Sequence, residues 1–184
     1  MKKSLTIVIA SMLLLSSCKK EQDPFLVSKE NIGLLTNTTQ IKDLKFIFPN
    51  DSIVNYKGDS TFNIPMNTVE ISEKGGNLLM VLTPKTLSDS TSTISNIRIV
   101  DSRYRTEKNI STLSRFKDIQ SAYKISKIDN LINSIVITVN EINAQFAIDK
   151  KELPANLRYD IDMNIEASQI PDNARIKYFF INWD

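Results

Sequence analysis

The chain has no histidine and only one cysteine, Cys18, in 184 residues. Without histidine it lacks the commonest general base and the commonest transition-metal ligand. A Ser-His-Asp or Cys-His hydrolase is therefore excluded from this chain alone. One cysteine permits no intrachain disulfide and cannot by itself build a zinc or iron–sulfur site. The apolar run at residues 5–15 falls short of the ~20 residues that cross a hydrocarbon core. An excess of charge of one sign is also missing. The chain carries 23 Lys+Arg against 21 Asp+Glu, and loss of Lys2 and Lys3 with the N-terminal segment leaves 21 against 21. Duplex binding needs a basic excess to displace counterions, so no nucleic-acid partner is expected. The chemistry left open is Ser–Lys catalysis, paired carboxylates or an all-oxygen calcium site.

What is present begins at the N-terminus. Met1-Lys2-Lys3 supplies a positive start, residues 5–15 suit the apolar core of a secretory signal, and small residues precede Cys18. Leu15-Ser16-Ser17-Cys18 resembles the lipobox of bacterial lipoproteins. That resemblance implies cleavage before Cys18 and acylation of its thiol and new α-amine. More than one acyl chain makes a stable anchor, where a single one is marginal. The expected organisation is a signal peptide at 1–17, a lipidated tether at 18–24 and a domain at 25–184. Lys19 stands where enterobacterial inner-membrane lipoproteins carry Asp, which implies the outer membrane. Residues 19–23 (Lys-Lys-Glu-Gln-Asp) are similar to the charged tether of Bacteroidota surface lipoproteins. The periplasmic face and the cell surface are both open on this reading.

Beyond the tether, patterning predicts an α+β fold, mostly antiparallel sheet with two short amphipathic helices. Residues 25–27 read as a short edge strand. Ile41, Leu44, Ile47 and Phe48 recur at helical spacing after Thr38-Thr39, and Pro49 stops the run. Strand-like runs follow at 52–56, 62–64, 69–72, 78–82 and 94–100. The run at 78–82 is apolar on both faces, as in a covered central strand. A second helix is expected at 115–123, with Phe116, Ile119, Ala122 and Tyr123 on one face. Asp118 then falls in the first turns, where the helix dipole favours a carboxylate. The runs at 134–139, 144–148, 157–165 and 175–183 complete the predicted strands.

The two helix approaches look alike. Glu30-Asn31-Ile32-Gly33-Leu34-Leu35-Thr36 matches Lys108-Asn109-Ile110-Ser111-Thr112-Leu113-Ser114 as charged-Asn-Ile-x-x-Leu-hydroxyl. Lys42-Asp43-Leu44 and Lys117-Asp118-Ile119 follow, at spacings that differ by three residues. Half-repeats at 25–100 and 101–184 are one reading, and chance likeness in an Ile/Asn/Ser/Thr-rich chain is the other. Gly33 with Thr38-Thr39 and Asp43-Leu44, and Ile110 with Ser114, Asp118-Ile119 and Tyr123, resemble the loop-into-helix module of BamE-like outer-membrane assembly lipoproteins. That resemblance implies a short helix on an antiparallel sheet and a non-enzymatic role. Leu113 and Asn109 stand where that module carries glycine.

Three stretches are candidate sites. As a strand, residues 159–166 would place Asp160, Asp162, Asn164 and Glu166 on one face, an oxygen-rich row able to hold Ca²⁺. Ile165 stands where an EF-hand loop needs glycine, and a solvated strand face is the plainer reading. Arg103, Tyr104 and Arg105 form a polar loop whose arginines can grip a carboxylate or phosphate, or pair locally with Asp101 or Glu107. Tyr178-Phe179-Phe180-Ile181-Asn182-Trp183 reads as core, with an exposed partner-binding edge as the alternative. The leading expectation is a lipid-anchored, non-catalytic binding or scaffold protein of the envelope, with no cofactor beyond the lipid on Cys18. Its partners would be the membrane, through that anchor, and an envelope or outer-membrane protein. The alternatives are an inhibitor or immunity-type lipoprotein, and an enzyme with two carboxylates ~5–9.5 Å apart.

Overall fold

The computed structural model describes residues 23–56 and 67–183. Three two-residue strands come first, β1 (Leu26–Val27), β2 (Asn31–Ile32) and β3 (Leu35–Thr36), and each buries one apolar side chain. A 3-10 turn (Ile41–Asp43) runs into helix α1 (Leu44–Ile47). The helix ends before Pro49, which has no N–H to continue its ladder. Strands β4 (Ser52–Tyr56), β5 (Thr68–Ser72), β6 (Leu78–Pro84) and β7 (Ile94–Ile99) form a meander. After β8 (Arg105–Thr106) comes helix α2 (Phe116–Ala122). A second meander follows, of β9 (Lys127–Asn130), β10 (Ser134–Val139), β11 (Ala144–Asp149) and β12 (Ile176–Asn182). The fold is α+β and sheet-dominated.

Both meanders belong to one eight-stranded antiparallel sheet, ordered β4-β5-β6-β7-β12-β11-β10-β9. The last strand of each meets at the centre, with Ile97 opposite Ile181 and Ile99 opposite Phe179. Alternation then sorts the side chains by face. Ile71, Met80, Ile99, Phe179, Phe146 and Ile137 form one buried row across the sheet. The α-helices, the small β3-β2-β1-β8 sheet and the connection between β11 and β12 contribute to the same core, through Leu44, Phe116, Val27, Leu157 and Ile170 among others. The other face carries Glu70, Val81, Arg98, Phe180, Gln145 and Thr138 in one row and is mostly half-exposed.

Hydrogen bonding in the first half is repeated in the second. The Thr36 N–H donates to Thr39 Oγ1 at 3.0 Å, and the Ser111 N–H donates to Ser114 Oγ at 3.1 Å. Ile41 and Lys42 donate to the carbonyls of Ser92 and Ser90, as Phe116 and Lys117 do to those of Ala174 and Asp172. The isolated bridge Gln40–Thr93 has its counterpart in Arg115–Arg175. Even the irregularity between Thr83 and Pro84 recurs between Ala147 and Ile148, each before a residue paired with the first isoleucine of the central strand. These bonds set Leu35 against Ile110 and Thr36 against Ser111. The sequence alignment, which set Asn31-Ile32 against Asn109-Ile110, is therefore shifted by three residues. In the structural register the two Lys-Asp pairs coincide with no spacing difference.

Several expectations need correction. Residues 157–165 form no strand. A 3-10 turn (Ala155–Leu157) opens the stretch, the Asp162 N–H folds back onto Asp160 Oδ1 at 2.9 Å, and Asn130 Nδ2 donates to the carbonyls of Asp160 and Met163. The chain there spends its polar groups on turns and on a side chain rather than on a ladder. The aromatic run of β12 is core on its Phe179 face, as it reads in sequence, and the alternative of an exposed edge falls away, since β7 and β11 flank it. The N-cap of α2 is Arg115, whose N–H donates to Asp118 Oδ2 at 2.8 Å. The run at 62–64 lies outside the described residues.

Candidate functional site

The chain reaches the domain at Asp23-Pro24-Phe25, and the loop predicted to bind a ligand lies directly against it. Arg103 donates to the Asp101 carboxylate at 2.7 Å and to the Glu73 carboxylate, and its guanidinium lies 4.7 Å from the Phe25 ring centroid. Tyr104 is 3% exposed and meets Phe25 edge-on at 5.1 Å. The Arg105 N–H donates to the Phe25 carbonyl at 3.0 Å, and its guanidinium lies 3.7 Å from Asp23. Arg103, Tyr104 and Arg105 thus clamp residues 23–25 to the fold. Hydrogen bonds from Arg103 hold the Asp101 carboxyl below the usual carboxylate range, against the opposing effect of burial. They also make Arg103 a still weaker acid than ordinary arginine. Burial, reinforced by Asp101 and Asp51, pushes the Tyr104 hydroxyl up to about 12.

Gly33 belongs to the same clamp. Its φ is +55°, and a Cβ there would come within 2.1 Å of the Pro24 carbonyl oxygen. Only glycine allows that approach. At the far terminus, Trp183 Nε1 donates to the Lys29 carbonyl at 2.9 Å, which ties the two ends of the domain together.

Two surface hollows flank the clamp. One, of about 270 Å³, is lined by Phe25, Ile47, Phe48, Leu79 and Tyr104, with Asp51 and Glu73 also on its wall. The other, of about 730 Å³, is an open polar groove lined by Ser102, Arg105, Lys108, Ser111, Ser114 and Ser121. Arg105 is the one residue of the predicted trio on this groove. Lys108 there is paired with Glu141 at 2.8 Å and lies 4.4 Å from the Tyr123 ring centroid. Asp118 also lines the groove, but its carboxylate caps α2. The groove therefore offers cations and hydroxyls to a polar ligand.

No family model matches the chain, and no curated protein matches it. A solved structure does resemble it. The crystal structure of the uncharacterized protein yfeY from Escherichia coli superposes with a TM-score of 0.56 at 16% identity, over 85% of this chain and 98% of that one. At that identity the likeness concerns the fold.

The remaining expected sites fall elsewhere. Asp160 and Asp162 lie in the turn described above, while Glu166 precedes a 3-10 turn (Ala167–Gln169) with its N–H on Gln169 Oε1 at 2.9 Å. With no strand there, the alternation that would have set Asp160, Asp162, Asn164 and Glu166 on one face does not apply. Among the described residues no group of three or more His, Cys, Asp or Glu converges on a metal position. Cys18 lies outside the described residues. Phe25, Gly33 and Glu73 were missed by sequence reasoning, since their roles come from long-range packing.

Proposed function

We propose that the protein is a lipid-anchored, non-catalytic envelope protein that acts as a binding or scaffold component at the outer membrane. One observation carries the reading: Leu15-Ser16-Ser17-Cys18 ends an uncharged apolar run only a few residues before the clamped segment at 23–25. An acyl anchor on Cys18 would hold the domain close to the bilayer. The open groove beside Arg105 and Lys108 supplies a surface for a polar partner, such as an acidic or hydroxyl-rich envelope component.

The test compares the full chain with Cys18→Ser. Both are grown with an alkyne palmitate analogue, extracted in mild detergent after crosslinking, and analysed by mass spectrometry. The reading expects label on the wild-type chain alone and a stoichiometric envelope partner that the variant loses. Equal labelling, or none, refutes the anchor. A labelled chain that is solitary in every extract refutes the scaffold role.

A further inference from the structure

Repetition of the two halves gives an internal control for surface chemistry. Residues 34, 46 and 38 stand in the structural register of 109, 121 and 113, because the matched bonds at 36/111, 39/114 and 41/116 share one offset. All six positions are exposed. Leu34 and Phe46 face Asn109 and Ser121 across this equivalence, and Leu113 faces Thr38. The antiparallel junction of β7 with β12 places equivalent positions at opposite ends of the strands. Apolar residues occupy one end, and their polar counterparts the other.

The apolar end contains the turn at 73–77, the loop at 101–104 and the turn at 131–133. Among the described residues ten large hydrophobics are exposed. Val54 lies on a strand of the open sheet, Tyr178 on its solvent face, and Leu87 in the β6–β7 connection at the polar end. The other seven gather at the apolar end. Leu34 lines the hollow at Phe25, and Phe46 (84% exposed) precedes Ile47 and Phe48, which line it too; Leu113 (79%) follows Thr112, whose hydroxyl donates to the Val100 carbonyl. Leu131 and Ile132 (74%) form the β9–β10 turn, and Asn130 holds beside them the segment bearing Tyr159 (85%) and Ile161.

This is also the end at which the chain arrives. Asp23 is clamped there, and five residue steps separate it from Cys18. Fully extended, those steps span at most ~18 Å at ~3.6 Å each. We infer that this end of the sheet rests on the lipid surface, with Leu34, Phe46 and the Ile132 and Tyr159 loops entering the headgroup region. The inference rests on the lipid-anchor reading, because it is the anchor that brings this end within reach. Aromatic and branched apolar residues partition into that interface, and the facing end stays wet.

The experiment uses the acylated full chain in phosphatidylcholine vesicles. Acylation consumes Cys18, so a single introduced cysteine is the only thiol left to carry an environment-sensitive fluorophore. Phe46→Cys, Ile132→Cys and Leu87→Cys are compared, with quenching by doxyl-labelled phosphatidylcholine as the readout. All three positions are exposed, and matching thermal unfolding verifies the fold of each variant. Labels at 46 and 132 should be quenched at least two-fold more strongly than the label at 87. Equal quenching on a chain whose mass shows acylation overturns this inference and leaves the anchor standing. Blue-shifted but unquenched labels at 46 and 132 point to a protein or a second copy covering this end, and also overturn it. An unacylated Cys18 overturns the anchor reading and this one with it.

Discussion

Phe179 and Phe180 are neighbours on β12, and the register assigns them opposite faces. Phe179 is fully buried and stacks on Phe146 with ring centroids 4.7 Å apart and planes at 27°. Phe180 lies half-exposed opposite Arg98 and Gln145, on the sheet's open face. Truncating Phe179 to alanine loses roughly 1.5–3 kcal/mol of transfer free energy. It also loses about 0.5–1.5 kcal/mol from the ring pair and leaves a cavity between strands that cannot collapse. The sum is about 3–5 kcal/mol, or a fall of roughly 6–20 °C in Tm for a domain of this size. Phe180→Ala removes a ring that water already reaches, and should cost about 1 kcal/mol. Urea unfolding of the two variants, followed by circular dichroism, reads the difference directly as a shift in midpoint. Equal losses, or a larger loss at Phe180, would mean that β12 is slipped by one residue, since a one-residue slip exchanges the faces.

Three further outcomes follow from the packing. Gly33→Ala should destabilise by more than about 1 kcal/mol, because its Cβ meets the Pro24 carbonyl at 2.1 Å. Proteolysis in the 23–33 segment should rise with it, and an unchanged Tm would contradict the geometry. Lys150 is buried with no hydrogen-bond partner for its Nζ. Replacement by methionine should therefore be neutral or stabilising by about 1 kcal/mol in thermal melts, and a clear loss would refute that. The folded-state pKa of Asp101 is depressed by Arg103. Its pairing therefore stabilises the fold at pH values above the unfolded carboxyl pKa of ~3.9, and the benefit is lost as pH falls through the folded value. Asp101→Asn should cost up to about 1 kcal/mol at pH 7, with the gap to wild type closing below pH ~4. A constant gap across that range would rule out the charge pairing as its cause.

The clamp at Arg103, Tyr104 and Arg105 illustrates how far residue type carries an argument. Arginine flanking tyrosine reads in sequence as a binding loop or as one paired locally with Asp101 or Glu107; Arg103 does pair with Asp101, and Phe25, Glu73 and Asp23 engage the loop from distant parts of the chain. The same holds for residues 159–166. Their alternation is strand-like, but a strand requires a neighbour with free ladder groups. Here Asn130 Nδ2 instead donates to the carbonyls of Asp160 and Met163.

Some properties of this protein were determined locally, by the sequence itself. Absent histidine and a lone cysteine remove whole classes of chemistry whatever the fold, and the uncharged apolar run before Cys18 is a feature of the sequence alone. β10 is another case, since the β-branched alternation at residues 134–139 buries Ile135, Ile137 and Val139 as the period of a strand demands. Tertiary structure alone decided the rest. The register of the repeat came from bonds between segments more than fifty residues apart, such as Ile41 with Ser92 and Phe116 with Ala174. The polarity of the two sheet ends exists only once β7 and β12 pair. Local pattern sets which residues alternate or spiral, but burial and facing depend on which remote segment supplies the other wall.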